Sequence, residues 1–321
     1  MDWRRIARKK APDKKPAGAY TNLDDLIRIQ FKVADFSLLP QQPVASILSG
    51  RYGSRLRGRG LNFEELRRYQ NGDDIRTIDW KVTARARRPH VRVFTEERDR
   101  AVLLIVDQRL NMFFGTRRQF KSVTAAELAA IAAWRAIGVG DRIGAIIFND
   151  IETAEFAPVN SQQNLMAILS AVVGFNHQLS SSSRLQPEGS MLNRVLERAG
   201  QVARHDALVV VISDFFGVDE QSEKSLVQLT AHNDVLGLYP HDPARRDPGS
   251  RKVVVGDGNL EMELDLANAS ARKKMLDDYD EEQRRITHFL RKLSAPLLMI
   301  NNEEDVSEQL RKYLGVRPQP H

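Results

Sequence analysis

Two kinds of hydrophobic pattern alternate along this chain from about residue 100 onward. The first is a short, uninterrupted apolar run. Ala101–Val106 and Ala207–Ile212 are such runs, six residues each, and each is followed closely by a carboxylate, Asp107 and Asp214. Runs of this length, rich in Val and Ile, read as strands buried on both faces of a parallel sheet. The second kind is apolar spacing at three and four. It predicts helices over Lys121–Ile137 (closed by Gly138 and Gly140), Asn164–Val173, Met191–Ala203, Glu220–His232, Ala271–Leu293 and Val306–Leu314. Between them DRIGAIIFN, ETAEFAP, DVLGLYP and APLLMIN read as further strands. KVVVGDGNLEMELDL (252–266) reads as a β-hairpin turning at Asp257-Gly258. Alternating strands and helices predict an α/β fold, a mostly parallel sheet with helices on both faces. The functional crevice of such a sheet lies at the carboxyl ends of its strands, where the connection direction reverses. If the strands ending in Asp107 and Asp214 are neighbours, two carboxylates converge on one rim, the shape of an oxygen-ligand divalent-cation site.

The first hundred residues read differently. Residues 1–20, polar and broken by Pro12, Pro16 and Gly18, are expected to be a flexible basic arm. Residues 21–98 are expected to hold a helix over 21–40, with Leu23, Leu26, Ile27, Phe31 and Val33 at roughly helical spacing, and then an arginine-rich segment. The α/β domain is expected over 99–321. Within the arginine-rich segment, FEELRRYQNGDD reads as a short helix ended by Gly72. Its mixture of acids and bases is expected to form a structural network: Asp73, Asp74 and Asp79 pairing with Arg67, Arg76 and Arg85, anchored by Trp80.

Composition narrows the chemistry. There is no cysteine, which excludes disulfides, thiolate nucleophiles and Cys-ligated zinc, and is in keeping with a cytoplasmic protein. Apolar runs of at most seven residues fall far short of the roughly 18 that a spanning helix needs, and MDWRRIARKKAPDKK lacks the apolar stretch of a secretory signal. The net charge of +6 is unevenly placed: residues 1–15 and 51–98 together carry +11, leaving −5 elsewhere. Arg55, Arg57 and Arg59, in RYGSRLRGRG, are therefore candidate contacts for an acidic protein face, with nucleic acid as the alternative partner. Aromatic residues for base stacking are sparse there, only Tyr52 and Phe63 lying nearby.

No phosphate-binding G-x-x-x-x-G-K-[ST] occurs, no G-x-S-x-G, and the seven histidines show no metal-ligand spacing. The expectation is a protein without enzymatic activity.

Residues 58–98, GRGLNFEELRRYQNGDDIRTIDWKVTARARRPHVRVFTEER, resemble the signature of the domain-of-unknown-function 58 family. The resemblance rests on Gly60, Phe63, Leu66, Arg67, Tyr69, Gly72, Asp73, Asp74, Arg76, Asp79, Trp80, Ala84, Arg85, Val93 and Glu97. The α/β portion that follows resembles the von Willebrand A domain, a Rossmann-type sheet. The resemblance implies a partner of MoxR-type AAA+ ATPases, with a role in chaperoning or assembling other proteins.

Such domains bind Mg²⁺ through D-x-S-x-S, a later Thr and a later Asp. Here the first motif reads D-Q-R-L-N, so Asp107 is kept while Arg109 and Asn111 replace the serines; Ser190 stands for the Thr and Asp214 is kept. A guanidinium about 5 Å from a divalent ion costs about 7 kcal/mol at an effective dielectric near 20. The implied site of Asp107, Asn111, Ser190 and Asp214 is therefore expected to be degenerate and metal-free, with Arg109 as counter-ion of both aspartates and as a contact for a partner. No cofactor is expected, Mg²⁺ being disfavoured.

Overall fold

The computed structural model describes residues 18–33, 61–70, 78–96, 99–180, 189–245, 252–256, 261–265, 268–292 and 295–314. The chain divides into two compact units, residues 51–99 and the remainder.

The larger unit is built on a six-stranded sheet. Its strands are β3 (Ala101–Asp107), β4 (Arg142–Phe148), β5 (Thr153–Val159), β6 (Leu208–Ile212), β7 (Asp234–His241) and β10 (Leu297–Asn301), in the order β10-β7-β6-β3-β4-β5. All pairs are parallel except β4 with the edge strand β5. Strand side chains alternate between faces, so AVLLIVD feeds two cores at once. Val102, Leu104 and Val106 pack with the helices α3 (Lys121–Gly138), α4 (Gln162–Gln178) and α8 (Val306–Leu314). Leu103 and Ile105 pack on the other side with α5 (Ser190–Val202), α6 (Glu220–His232) and Ile286 of α7 (Ala269–Lys292). That double burial is why the sequence shows an unbroken apolar run rather than an alternating one. α3 is rich in alanine because it lies close against the sheet: Ala125, Ala126, Ala129, Ala130, Ala132 and Ala133 are all fully buried.

The chain runs from β3 outward through β4 and β5, then crosses back to place β6 on the other side of β3. The connection direction therefore reverses between β3 and β6, whose register pairs Val106 with Ile212. Asp107 and Ser213-Asp214 follow at the same carboxyl edge. Among the described residues, no helix is long and apolar enough to cross a membrane.

Several expectations require correction. The N-terminal helix is short, α1 (Leu23–Arg28) followed by a 3₁₀ turn over Ile29–Lys32. It belongs with the α/β unit rather than with the arginine-rich segment. Leu26, Ile29 and Val33 enter the core beside α3 and α4, and the Trp134 indole N–H donates to the Leu26 carbonyl at 3.0 Å. Residues 18–20 are likewise anchored: the Phe120 amide donates to the Gly18 carbonyl at 2.9 Å, and the Tyr20 hydroxyl to the Leu179 carbonyl at 2.8 Å. The flexible arm expected over 1–20 otherwise lies outside the described residues. The 252–266 hairpin is present as the antiparallel pair β8 (Lys252–Gly256) and β9 (Glu261–Asp265), its expected Asp257-Gly258 turn lying outside the description.

In the smaller unit, the expected helix over FEELRR is instead a strand. β1 (Leu61–Arg68) pairs antiparallel with β2 (His90–Glu96), and α2 (Trp80–Ala86) lies between them in sequence. Apolar spacing of three is shared by a helix and by a strand carrying one extra residue, and the ladder has such a bulge between Phe63 and Glu65. The β-branched run in HVRVFTE supplies the partner that decides between them.

Leu26 has no exposed surface. Its truncation in Leu26→Ala is expected to cost about 2–5 kcal/mol, read as a lower urea midpoint at unchanged slope. An unchanged midpoint would show that the N-terminal segment is not part of the core.

Candidate functional site

Both carboxylates expected at the rim are present, side by side and buried, with Asp107 at 0% and Asp214 at 4% exposure. Each has its own cation. The Arg109 backbone N–H and Nε both donate to Asp107 Oδ1 at 3.0 Å, and Arg109 Nη2 donates to Oδ2 at 2.7 Å. The Ser213 hydroxyl adds a bond to the same Oδ2 at 2.6 Å, tying the end of β6 to the end of β3. Arg109 is fully buried and its guanidinium lies 5.3 Å from the centre of the Phe148 ring, a cation–π contact. Burial opposes the charge on Arg109, but the Asp107 carboxylate, with Asp214 and Asp150 behind it, overcomes that penalty and holds the guanidinium above its ordinary range.

The counter-ion of Asp214 is Lys121, whose ammonium lies 2.5 Å from Oδ2. Asn111 Nδ2 donates to Asp214 Oδ1 at 2.6 Å and the Phe216 amide to the same oxygen at 3.1 Å. Burial alone would raise the Asp214 carboxyl; Lys121 and then Arg109 outweigh it, and the carboxyl is pulled from 3.8 down to about 2. The turn that aims it is strained. Phe215 is 1% exposed and sits at φ 54°, in the left-handed region that a bulky side chain rarely adopts. It is held there by its amide bond to the Ser213 hydroxyl, 2.9 Å, and by stacking on Tyr239. Gly217, at φ 82°, brings this loop against Gly189, and a Cβ on Gly217 would lie 2.4 Å from the Gly189 Cα. That approach sets Ser190, the exposed first residue of α5, beside the Asp214 loop.

The structure thus brings Asp107, Arg109, Asn111 and Asp214 together and places Ser190 alongside. Arg109 is hydrogen-bonded to Asp107 and acts on Asp214 through its charge, while Lys121 is the cation in contact with Asp214. One expectation changes: Arg109 is not a contact for a partner, because it is enclosed. Lys121 was not foreseen, although one signal for it exists: a cation opening an otherwise apolar helix opposes the helix dipole, which calls for a nearby carboxylate. Gln108 also went unread. Its Nε2 donates to the Ser122 carbonyl at 2.9 Å, and its Oε1 accepts from Asn176, whose own Oδ1 accepts from the Thr21 amide.

The donor set does not fit a divalent cation. Every oxygen of both aspartates already accepts a hydrogen bond, and two cations already neutralise them.

Only part of the expected network around Asp79 lies within the described residues. Asp79 caps α2, accepting from the Lys81 and Val82 amides at 3.0 and 3.1 Å. Trp80 is 68% exposed rather than the buried anchor expected, and Arg85 is exposed. Arg67 donates to the Arg68 carbonyl. Asp73, Asp74, Arg76, Arg55, Arg57 and Arg59 lie outside the described residues.

Fold and rim define the class: an open α/β protein of the doubly wound kind, with buried ion pairs at its switch point. The chain belongs to the family described as "Protein of unknown function DUF58", whose model matches residues 65–286. Over 287 residues it is 26% identical to an uncharacterized protein of Mycobacterium tuberculosis, Rv1480, and equally to one of Mycobacterium bovis, Mb1516, with 87% of each chain covered. It is also similar to a solved structure, the conserved hypothetical protein BatB of Bacteroides thetaiotaomicron. That match has a TM-score of 0.39 at 12% identity, over 67% of this chain and 98% of that one.

Two outcomes follow from the ion pairs. The Asp214 carboxyl is lower in the folded chain than in the unfolded one, so its stabilising contribution is complete above pH 3.8 and is lost as pH falls through about 2. Asp214→Asn should therefore flatten the acid limb of the stability–pH curve in that window; an unchanged limb would contradict the pairing. Arg109→Met strands a buried carboxylate and should cost about 3–5 kcal/mol, most of it recovered in Arg109→Met/Asp107→Asn. Equal melting of the single and double variants would show that the pair is not coupled.

Proposed function

We propose that this protein is a non-enzymatic interaction adaptor of the cytoplasm, built on a von Willebrand A-like domain. It works with a MoxR-type AAA+ ATPase in the assembly or maturation of other proteins. The observation that carries this reading is that the rim is chemically closed but physically open. Its charges cancel internally, leaving no free acid, base or nucleophile among Asp107, Arg109, Lys121 and Asp214. The loops that hold them nevertheless present Phe114 and Phe216 to solvent, 37% and 40% exposed. Beside them, Asn111 Oδ1 is buried and accepts no hydrogen bond among the described residues. Exposed aromatics around a rigid polar centre are the composition of an interface hot spot. The basic residues of 1–15 and 51–60 supply a second, electrostatic contact for an acidic face.

Affinity capture of the full chain from native lysate, with mass spectrometry, tests the reading. Wild type should enrich an AAA+ ATPase, and Phe114→Ser/Phe216→Ser should lower that enrichment at least tenfold without changing the melting temperature, as expected for hot-spot loss. No ATPase captured by wild type would count against the reading. Tight, steeply salt-dependent binding to nucleic acid in its place would favour the rival use of the basic residues.

A further inference from the structure

We infer that Lys121 and Arg109 are built-in counter-ions that take the electrical place of a divalent cation, so that the rim assembles without metal, and that Lys121 is the one that closes Asp214 to a cation. The inference concerns how the rim is held, not what docks on it, and it stands or falls separately from the adaptor reading.

The argument is one of valence and geometry. Asp107 and Asp214 carry two negative charges, and Arg109 and Lys121 return two positive ones, all four side chains being nearly or fully removed from water. A buried carboxylate without a compensating charge is costly, so something must neutralise each. A divalent ion would need open oxygen lone pairs. Here Asp107 Oδ1 is taken by Arg109, and Oδ2 by Arg109 and Ser213. Asp214 Oδ1 is taken by Asn111 and the Phe216 amide, and Oδ2 by Lys121.

The two cations are not equivalent. Arg109 is fastened three ways to Asp107 within one turn of chain, and it belongs to the loop itself. Lys121 arrives from another element, the start of α3, and reaches Asp214 through one flexible ammonium. Removing Lys121 leaves net charge −1 in the cluster and frees Asp214 Oδ2, with Asn111 Oδ1 already lacking a donor close by. The freed Asp214 carboxylate oxygen and the Asn111 amide oxygen are hard-oxygen donors of the kind suited to Mg²⁺ or Mn²⁺. Lys121 is thus a positioning residue whose ammonium occupies the place a metal would take.

Calorimetric titration and thermal melting of the full chain with Mn²⁺ and Mg²⁺ test this. Wild type should give no saturable binding heat and the same melting temperature with Mn²⁺ as with chelator. Lys121→Ser should melt lower and be raised again by Mn²⁺, through preferential binding to the folded state. Its Mn²⁺ affinity should exceed that of wild type at least tenfold, and adding Asp214→Asn should abolish the gain. Lys121→Met, which offers no replacement oxygen, should gain less than Lys121→Ser. Saturable Mn²⁺ binding by wild type that disappears in Asp214→Asn would overturn the inference, and this measurement requires no destabilised variant. So would a Lys121→Ser protein that folds yet binds no Mn²⁺.

Discussion

A carboxylate taken out of water must be met by a positive charge, and this chain removes two of them at one place. Asp107 and Asp214 are side by side because β3 and β6 pair in parallel with Val106 against Ile212. That register follows from the burial of both strands on both faces. The remainder of the rim answers this constraint. Arg109 folds back within its own loop, Lys121 comes from α3, and Ser213 and Asn111 complete the hydrogen bonds. The left-handed Phe215 and the Gly189–Gly217 approach are local departures that aim Asp214 inward, the kind of strain that persists only where surrounding packing enforces it.

The rim is continuous with the N-terminal segment. Gln108, the residue between Asp107 and Arg109, is bonded to Asn176 of α4, and Asn176 to the backbone of Thr21. Tyr20 packs on Phe113 and His177 from the same side. The segment before α1 is therefore part of the setting of the rim, through amide contacts that no periodicity announces. On the far side, Asp242 accepts from the Thr116 amide and hydroxyl and from Asn302, fastening the post-β3 loop to β7 and β10. The loop that carries Arg109, Asn111 and Phe114 is thus fixed at both ends.

Membership of the DUF58 family spans both units of the chain. The family signature and the ion-paired rim lie in different units, so neither explains the other. On the proposed adaptor reading, the neutral rim would give a shape-specific contact and the basic segment an electrostatic one.

The order of strands and helices was legible in the amino-acid sequence because doubly buried strands and amphipathic helices leave different periods. The two aspartates were legible as well, because each follows closely on an unbroken apolar run. The sequence also showed that Arg109 stands where a cation ligand would be, which is a statement about one loop. It could not show that Lys121, fourteen positions after β3 ends at Asp107 and 93 before Asp214, is the second counter-ion. Pairing across that distance is set by where α3 begins relative to β6. The strand over 61–68 was misread for a similar reason: spacing of three suits two structures, and only the partner strand at 90–96 chooses. Local pattern determined what each segment is. Which charges meet was decided by the tertiary structure, since a buried ion pair depends on distance in space and leaves no period along the chain.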